Sequence, residues 1–442
     1  MEIRPFRGWR YAGEPGGDVS NFIAPPYDVI SRQDRDAFLA RSDRNIVAVD
    51  LPHFPPQEAG PDDAYQRAAD LLGKWRSSGV LVQDGAPALY AYQQSFRWAG
   101  RSYARRGMIC GVRVGQLGKD VIPHEHTFPG PRADRGKLTE FTRTQLSPVF
   151  GFFNDPRSTV DSLLWHAAKG SPAAWGQLQT VTERIWPVTD GGVIAEIASA
   201  LKDVPVFIAD GHHRYATAAS YAAARKAAGR IGDDHEANFV MFCLVPRQDP
   251  GLLVLPTHRI IRGLAERFSL PALVNVLTDF QWRRRALGNA DLGNAGEFLR
   301  KYGPGAMAFL GGLAKSDTSG LWAPADPAEL WIGKLTDPAV MDALAGDQPA
   351  PWRRLDVAIL HKVVIDKALA PWRTDDLRVD YTPDGKAVLA ACQSVSAQLG
   401  VCLQAPSLDA IEQIALAGSA MPHKSTYFYP KLATGMVLKP LE

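Results

Sequence analysis

Five consecutive residues carry the sharpest chemical signal in this chain: Asp210-Gly211-His212-His213-Arg214. They follow the apolar run Val204 to Ala209 and precede an alanine-rich stretch, Tyr215 to Ala228. That order predicts a strand, a tight turn at the glycine, and a helix. The first N–H groups of a helix have no partner within it, and the helix dipole is positive at that end. Such a junction is a ready anion site. His212, His213 and Arg214 add donors, and an arginine can grip a phosphate with two parallel hydrogen bonds. Asp210 can cap the helix or bind Mg²⁺. The bland alternative is a capping aspartate followed by solvated histidines. Five such residues in a row at a strand–helix junction favour the phosphate site.

A second cluster, His124-Glu125-His126-Thr127, ends the apolar run Val121-Ile122-Pro123. In an extended segment His124 and His126 share one face and Glu125 points to the other. A metal site needs three or four ligands, and His-Glu-His alone is not one. The zinc-hydrolase pattern His-Glu-x-x-His is absent. Glu125 reads better as a general base brought beside the phosphate site. A polar loop with surface histidines is the alternative. Weaker candidates are Tyr27 and Asp28, in Pro25-Pro26-Tyr27-Asp28, and His258 and Arg259. Both pairs follow apolar runs and are expected in loops at strand ends, where α/β proteins hold ligands. Near the C-terminus, Lys424, Ser425 and Lys431 can reach a phosphate or carboxylate. A buried terminal strand there is the alternative.

The elements that must position these groups read as mixed α/β. Asp62 to Ser78 has Ala64, Ala68, Leu71, Leu72 and Trp75 on one helical face. Leu89 to Phe96 and Tyr103 to Val114 read as strands paired about Ala99-Gly100. A helix is expected from about Arg132 to Gln145, strands at Pro148 to Phe153 and Asn238 to Val245, and an apolar run at Leu252 to Leu255. Helices are expected at Glu266 to Asp279 and Leu355 to Leu369. The two prolines of Phe22 to Ile30 make that run an edge or a loop. Gly303 to Gly305 and Ala323 to Asp326 are candidate boundaries.

At 442 residues and 46% hydrophobic, the chain exceeds one ordinary core, so two or three domains are expected. The segments are 1–115, 116–260 with the phosphate site, and 261–442. A net charge of +2 gives no reason to expect nucleic acid as a partner. Four cysteines, Cys110, Cys243, Cys392 and Cys402, form no Cys-x-x-Cys pair and are expected as free thiols. The start lacks a signal-peptide core, and no apolar stretch is long enough for a membrane helix. A cytoplasmic location without membrane partners is expected.

The Asp210 to Arg214 run resembles the Gly-x-x-Arg box of the ParB/sulfiredoxin fold, whose turn and arginine hold nucleotide phosphates. Its Asp-Gly-His-His-Arg form resembles nucleotide-dependent free-serine kinases. Those carry an upstream His-Glu box, matched in order by His124-Glu125, whose glutamate is taken as the base. The whole chain resembles the family called domain of unknown function 1015. The stretches that carry this are Ala24 to Val29, Pro123 to Thr127, Leu146 to Phe150, Ala209 to Tyr215, Leu255 to Arg259 and Met421 to Lys431. The resemblance implies a ParB/sulfiredoxin-like central core with α/β extensions on both sides. It also implies a nucleotide, ATP or ADP, with Mg²⁺, and phosphoryl transfer to a small hydroxylated metabolite. One alternative is a phosphatase acting on phosphoserine or a similar ester. Another is a non-catalytic nucleotide-binding or DNA-associated protein, opposed by the modest charge and the lack of an evident helix-turn-helix.

Overall fold

The computed structural model describes residues 1–13, 17–286, 292–312, 330–394 and 396–442. The candidate boundary at Ala323 to Asp326 lies outside them. The chain is mixed α/β and divides into two compact units: Met1–Leu253 with Pro430–Glu442, and Val254–Tyr429. This differs from the three expected segments. The division expected at residue 115 falls inside one sheet, because long antiparallel strands formed on one side of it pair with strands formed on the other. The last thirteen residues return to the first unit.

The first unit is built on a nine-stranded sheet. Its strands are β1 (Ile3–Arg4), β2 (Leu89–Trp98), β3 (Arg101–Arg113), β4 (Val121–Ile122), β5 (Val149–Phe153), β6 (Ala174–Leu178), β7 (Val181–Val188), β8 (Val206–Asp210) and β9 (Phe239–Pro246). Their order is β4-β8-β5-β9-β3-β2-β7-β6, with β1 beside β3. The β2–β3 pair turns where expected, at Ala99 and Gly100, both with positive φ. This unit's helices include α1 (Asp62–Ser77), α2 (Pro129–Thr142), α3 (Thr159–Ala167), α4 (Gly191–Leu201) and α5 (His212–Ala227). Every residue of β9 is buried, which accounts for its unbroken apolar sequence. Phe242 and Leu244 of β9, Leu164 of α3, Ile197 of α4 and Tyr215 of α5 share one apolar core. Each such side chain contributes about 1.5–3 kcal/mol by leaving water.

The second unit has a six-stranded sheet: β10 (His258–Arg262), β11 (Phe280–Arg285), β12 (Ala306–Gly311), β13 (Leu330–Leu335), β14 (Arg378–Thr382) and β15 (Leu399–Cys402), in the order β11-β13-β12-β15-β10-β14. Two expected helices differ here. Glu266 to Asp279 is helical only over Leu270–Val276, where Ser269 caps the start and Pro271 stands in the first turn. Leu355 to Leu369 is α-helical over Asp356–Ile359 and continues as a π-helix over Leu360–Ala368. Apolar spacing alone does not separate those two windings. All four cysteines are free and buried. Among the described residues no helix is long and apolar enough to cross a membrane.

Candidate active site

Two neighbouring strands bring the two sequence motifs together. β8 and β4 run parallel, with Val206 opposite Val121 and Phe207 opposite Ile122. The residues that follow each strand therefore leave the sheet at the same edge. His124-Glu125 follow β4, and Gly211 to Arg214 follow β8. The N–H of His124 donates to His212 Nε2 over 3.3 Å, and the two rings meet edge to face at 4.7 Å. Glu125 Oε2 lies 3.8 Å from His212 Nδ1.

The junction forms as its sequence predicts. Gly211 takes a left-handed φ of +91° and stands at the N-cap of α5. The positive φ is what calls for glycine, and a Cβ there would also meet the Arg214 guanidinium at 2.9 Å and displace it. Arg214 turns back over the glycine. Its Nη2 donates to Asp210 Oδ2 at 2.6 Å, and its Nη1 donates to the carbonyl of Pro148, at the start of β5. The other oxygen of Asp210 accepts from Lys431 Nζ. Burial alone would raise the Asp210 pKa, but Lys431 and Arg214 outweigh it and hold the carboxyl well below the usual range.

Lys431 reaches Asp210 because the C-terminal segment around it is pinned to the sheet. Arg105 donates to the Pro430 carbonyl at 2.6 Å, and Gln94 donates to the Lys431 carbonyl at 2.9 Å. Gln94 also donates to the buried Glu183.

The histidines have different environments. Burial and the neighbouring His124 push the His212 pKa well below its ordinary value, so the ring is neutral. Its Nε2 accepts from the His124 N–H, which leaves the proton on Nδ1, the nitrogen facing Glu125. His124 is buried too, and desolvation lowers its pKa to about 4. His213 Nε2 accepts from the Phe128 N–H at 2.9 Å, with the two rings stacked at 5.9 Å. That bond fixes the entry into α2.

Mg²⁺ held by Asp210, one of the sequence expectations, does not fit this arrangement. Both carboxylate oxygens already face a cation. Among the described residues no three His, Cys, Asp or Glu groups are placed to hold an ion.

A third layer lies behind Arg214, and the motifs did not announce it. Arg135 of α2 is buried. It donates to Asp134 Oδ2 at 2.6 Å and to the Asp50 carbonyl at 2.6 Å, and it stacks on the Tyr27 ring at 4.0 Å. Tyr27 is thus buried in this network, while Asp28 beside it is exposed. An adjacent acid–base pair inside a helix looks like surface in sequence, so no local signal marks Asp134-Arg135.

The remaining candidates lie in the second unit. His258 Nδ1 accepts from the Leu403 N–H at 3.1 Å. Arg259, fully buried, donates to the carbonyls of Thr257, His423 and Lys424 at 2.5, 3.3 and 3.1 Å. It also faces His361 Nε2 at 3.4 Å and lies 4.6 Å from the Tyr381 ring centre. Lys424 has a left-handed φ of +54°, and Ser425 donates to the Pro422 carbonyl.

A family model described as protein of unknown function, DUF1015, matches residues 3–323. The chain belongs to this family. DUF1015 carries no assigned activity in its description, and no curated protein matches the chain. Among solved structures, the chain is similar to a free serine kinase in complex with AMP: TM-score 0.32, 11% identity, 74% of this chain and 92% of that one. A conserved hypothetical protein from Pyrococcus furiosus gives TM-score 0.32 and 10% identity over 74% and 95%. SbnI with a C-terminal truncation, from Staphylococcus aureus, gives 0.34 and 12% over 75% and 87%. These superpositions are loose.

Proposed function

We propose that the first unit is a phosphotransferase that moves the terminal phosphoryl group of a nucleotide to the hydroxyl of a small metabolite. The observation that carries this reading is the pairing of Glu125 with His212. The Glu125 carboxylate and the ring of His212, the first residue of α5, come from motifs far apart in sequence and stand 3.8 Å apart. Backbone N–H groups at the start of α5 receive the phosphate. Arg214 and Lys431, held ready on Asp210, supply the positive charge that stabilises the equatorial oxygens in transfer. The Nδ1–H of neutral His212 faces the Glu125 carboxylate and favours its charged, proton-accepting form. Glu125 takes the hydroxyl proton as the new O–P bond forms. The bond between the phosphoryl group and the nucleotide breaks, and its electron pair stays on the nucleotide oxygen.

The test is product analysis. Pure protein is incubated with terminally labelled ATP or ADP and a panel of hydroxylated amino acids and small alcohols. Label in a phosphate ester is expected. Label released only as inorganic phosphate, with or without acceptor, would replace this reading by a hydrolase. Binding of nucleotide without turnover would replace it by a nucleotide sensor.

A further inference from the structure

The buried layer behind Arg214 has more polar capacity than its own contacts use. Asp50 gives Oδ1 and its carbonyl to Arg135, at 3.3 and 2.6 Å. Its second carboxylate oxygen, Oδ2, is buried without a hydrogen-bond partner among the described residues. Thr217 lies on α5, three residues past Arg214, and its buried hydroxyl also has none. Asp50, Arg135, Thr217 and Arg214 all line one cavity of about 50 Å³. A water needs about 10–15 Å³ of such space and two to four polar partners, so the cavity has room for a few. A buried polar atom left unsatisfied is costly, and that cost is what draws water into a polar cavity.

We propose that Asp50, braced by Arg135, is a positioning residue for Arg214, acting through water held in this cavity. The inference rests on the phosphate-site reading above. Arg214 has a carboxylate in front, Asp210, and a carbonyl at its side, Pro148. A phosphate entering at the α5 N-terminus competes with Asp210 for the guanidinium. Something behind must then keep Arg214 from swinging out with its new partner. The Asp50 carboxylate, which lines the same cavity, feels the Arg214 charge and is fixed by Arg135, supplies the restoring charge. Its other charged and titratable neighbours are Asp134, Asp28 and Tyr27. The arrangement gives the N-terminal segment, through Asp50, a role at Arg214, far later in the chain, with Tyr27 packed against Arg135.

The experiment is a double-mutant cycle read by binding, not by stability. Inorganic phosphate and ADP are titrated calorimetrically into wild type, Asp50→Asn, Arg214→Ala and the double variant. Thr217→Val is a milder variant that keeps shape and removes one water contact. Wild-type binding that fails altogether would sink the phosphate-site reading itself. Given wild-type binding, Asp50→Asn is expected to weaken phosphate 3- to 10-fold, and Thr217→Val 2- to 5-fold. Asp50→Asn should do nothing further in the Arg214→Ala background. Equal losses with and without Arg214 would overturn the positioning role and leave Asp50 a structural residue. Urea unfolding of each variant separates stability from affinity. If Asp50→Asn does not fold, the cycle of Thr217→Val with Arg214→Ala decides by the same rule.

Discussion

Each unit contains an arginine held by polar groups, and the two are held differently. Arg214 in the first unit leans on a carboxylate, with Lys431 on that carboxylate's other oxygen. Arg259 in the second unit has no carboxylate partner among the described residues. Its donors go to three backbone carbonyls, a neutral histidine and an aromatic face. Burial alone lowers its pKa to about 10, so it remains charged at neutral pH. A carbonyl cannot leave its place without moving the chain, so Arg259 is a clamp that ties Thr257 to the His423-Lys424 turn. A carboxylate partner can be exchanged for a phosphate, so Arg214 is a ligand in waiting. Donor count does not distinguish the two arginines, but partner type does.

The largest expected break in this comparison is Glu125→Gln. It keeps the shape and removes the base, so turnover should fall by about 10² to 10⁴. Nucleotide affinity, measured by titration, should barely change, because the cations and helix start remain. Full activity in this variant would remove the base role.

Acid gives the next effect. His124, buried and lowered from the ordinary 6.5 to about 4, contributes stability that is present above pH 6.5. That contribution is lost as pH falls through its folded pKa. Urea unfolding should show stability dropping between pH 6.5 and 4 by up to roughly 3 kcal/mol from this group. The slope should shrink in His124→Asn, and an unchanged slope would assign the acid sensitivity elsewhere.

The two arginines themselves sharpen the contrast. Arg214→Ala should weaken phosphate or ADP binding by about 1.5–3 kcal/mol, as expected for bonds to a charged group. Thermal-shift titration reads this directly. Arg259→Ala should leave that affinity unchanged and lower unfolding stability by about 1–2 kcal/mol, since three carbonyls lose a donor. A phosphate effect from Arg259→Ala, or none from Arg214→Ala, would reverse the assignment.

Local sequence determined a good deal here. Apolar spacing was enough for α1, for the β2–β3 hairpin and for β8 running into α5. Each depends on neighbours within a few residues: periodic burial, a turn at Ala99-Gly100, a glycine where φ must be positive. The Asp210 to Arg214 junction was legible for the same reason, because a helix start is a local object with fixed chemistry. Tertiary structure alone decided what surrounds it. That Glu125 stands beside His212 follows from β4 pairing parallel to β8, with Val121 opposite Val206, a choice between strands far apart in sequence. That Lys431 neutralises Asp210 follows from the return of Pro430–Glu442 to the first unit. The burial of Asp50 and Arg135 behind Arg214 comes from three separate segments meeting. Charge patterns along a chain do not record such meetings, because a buried ion pair and a solvated one are written with the same letters. Only the fold, by removing water from one and not the other, tells them apart.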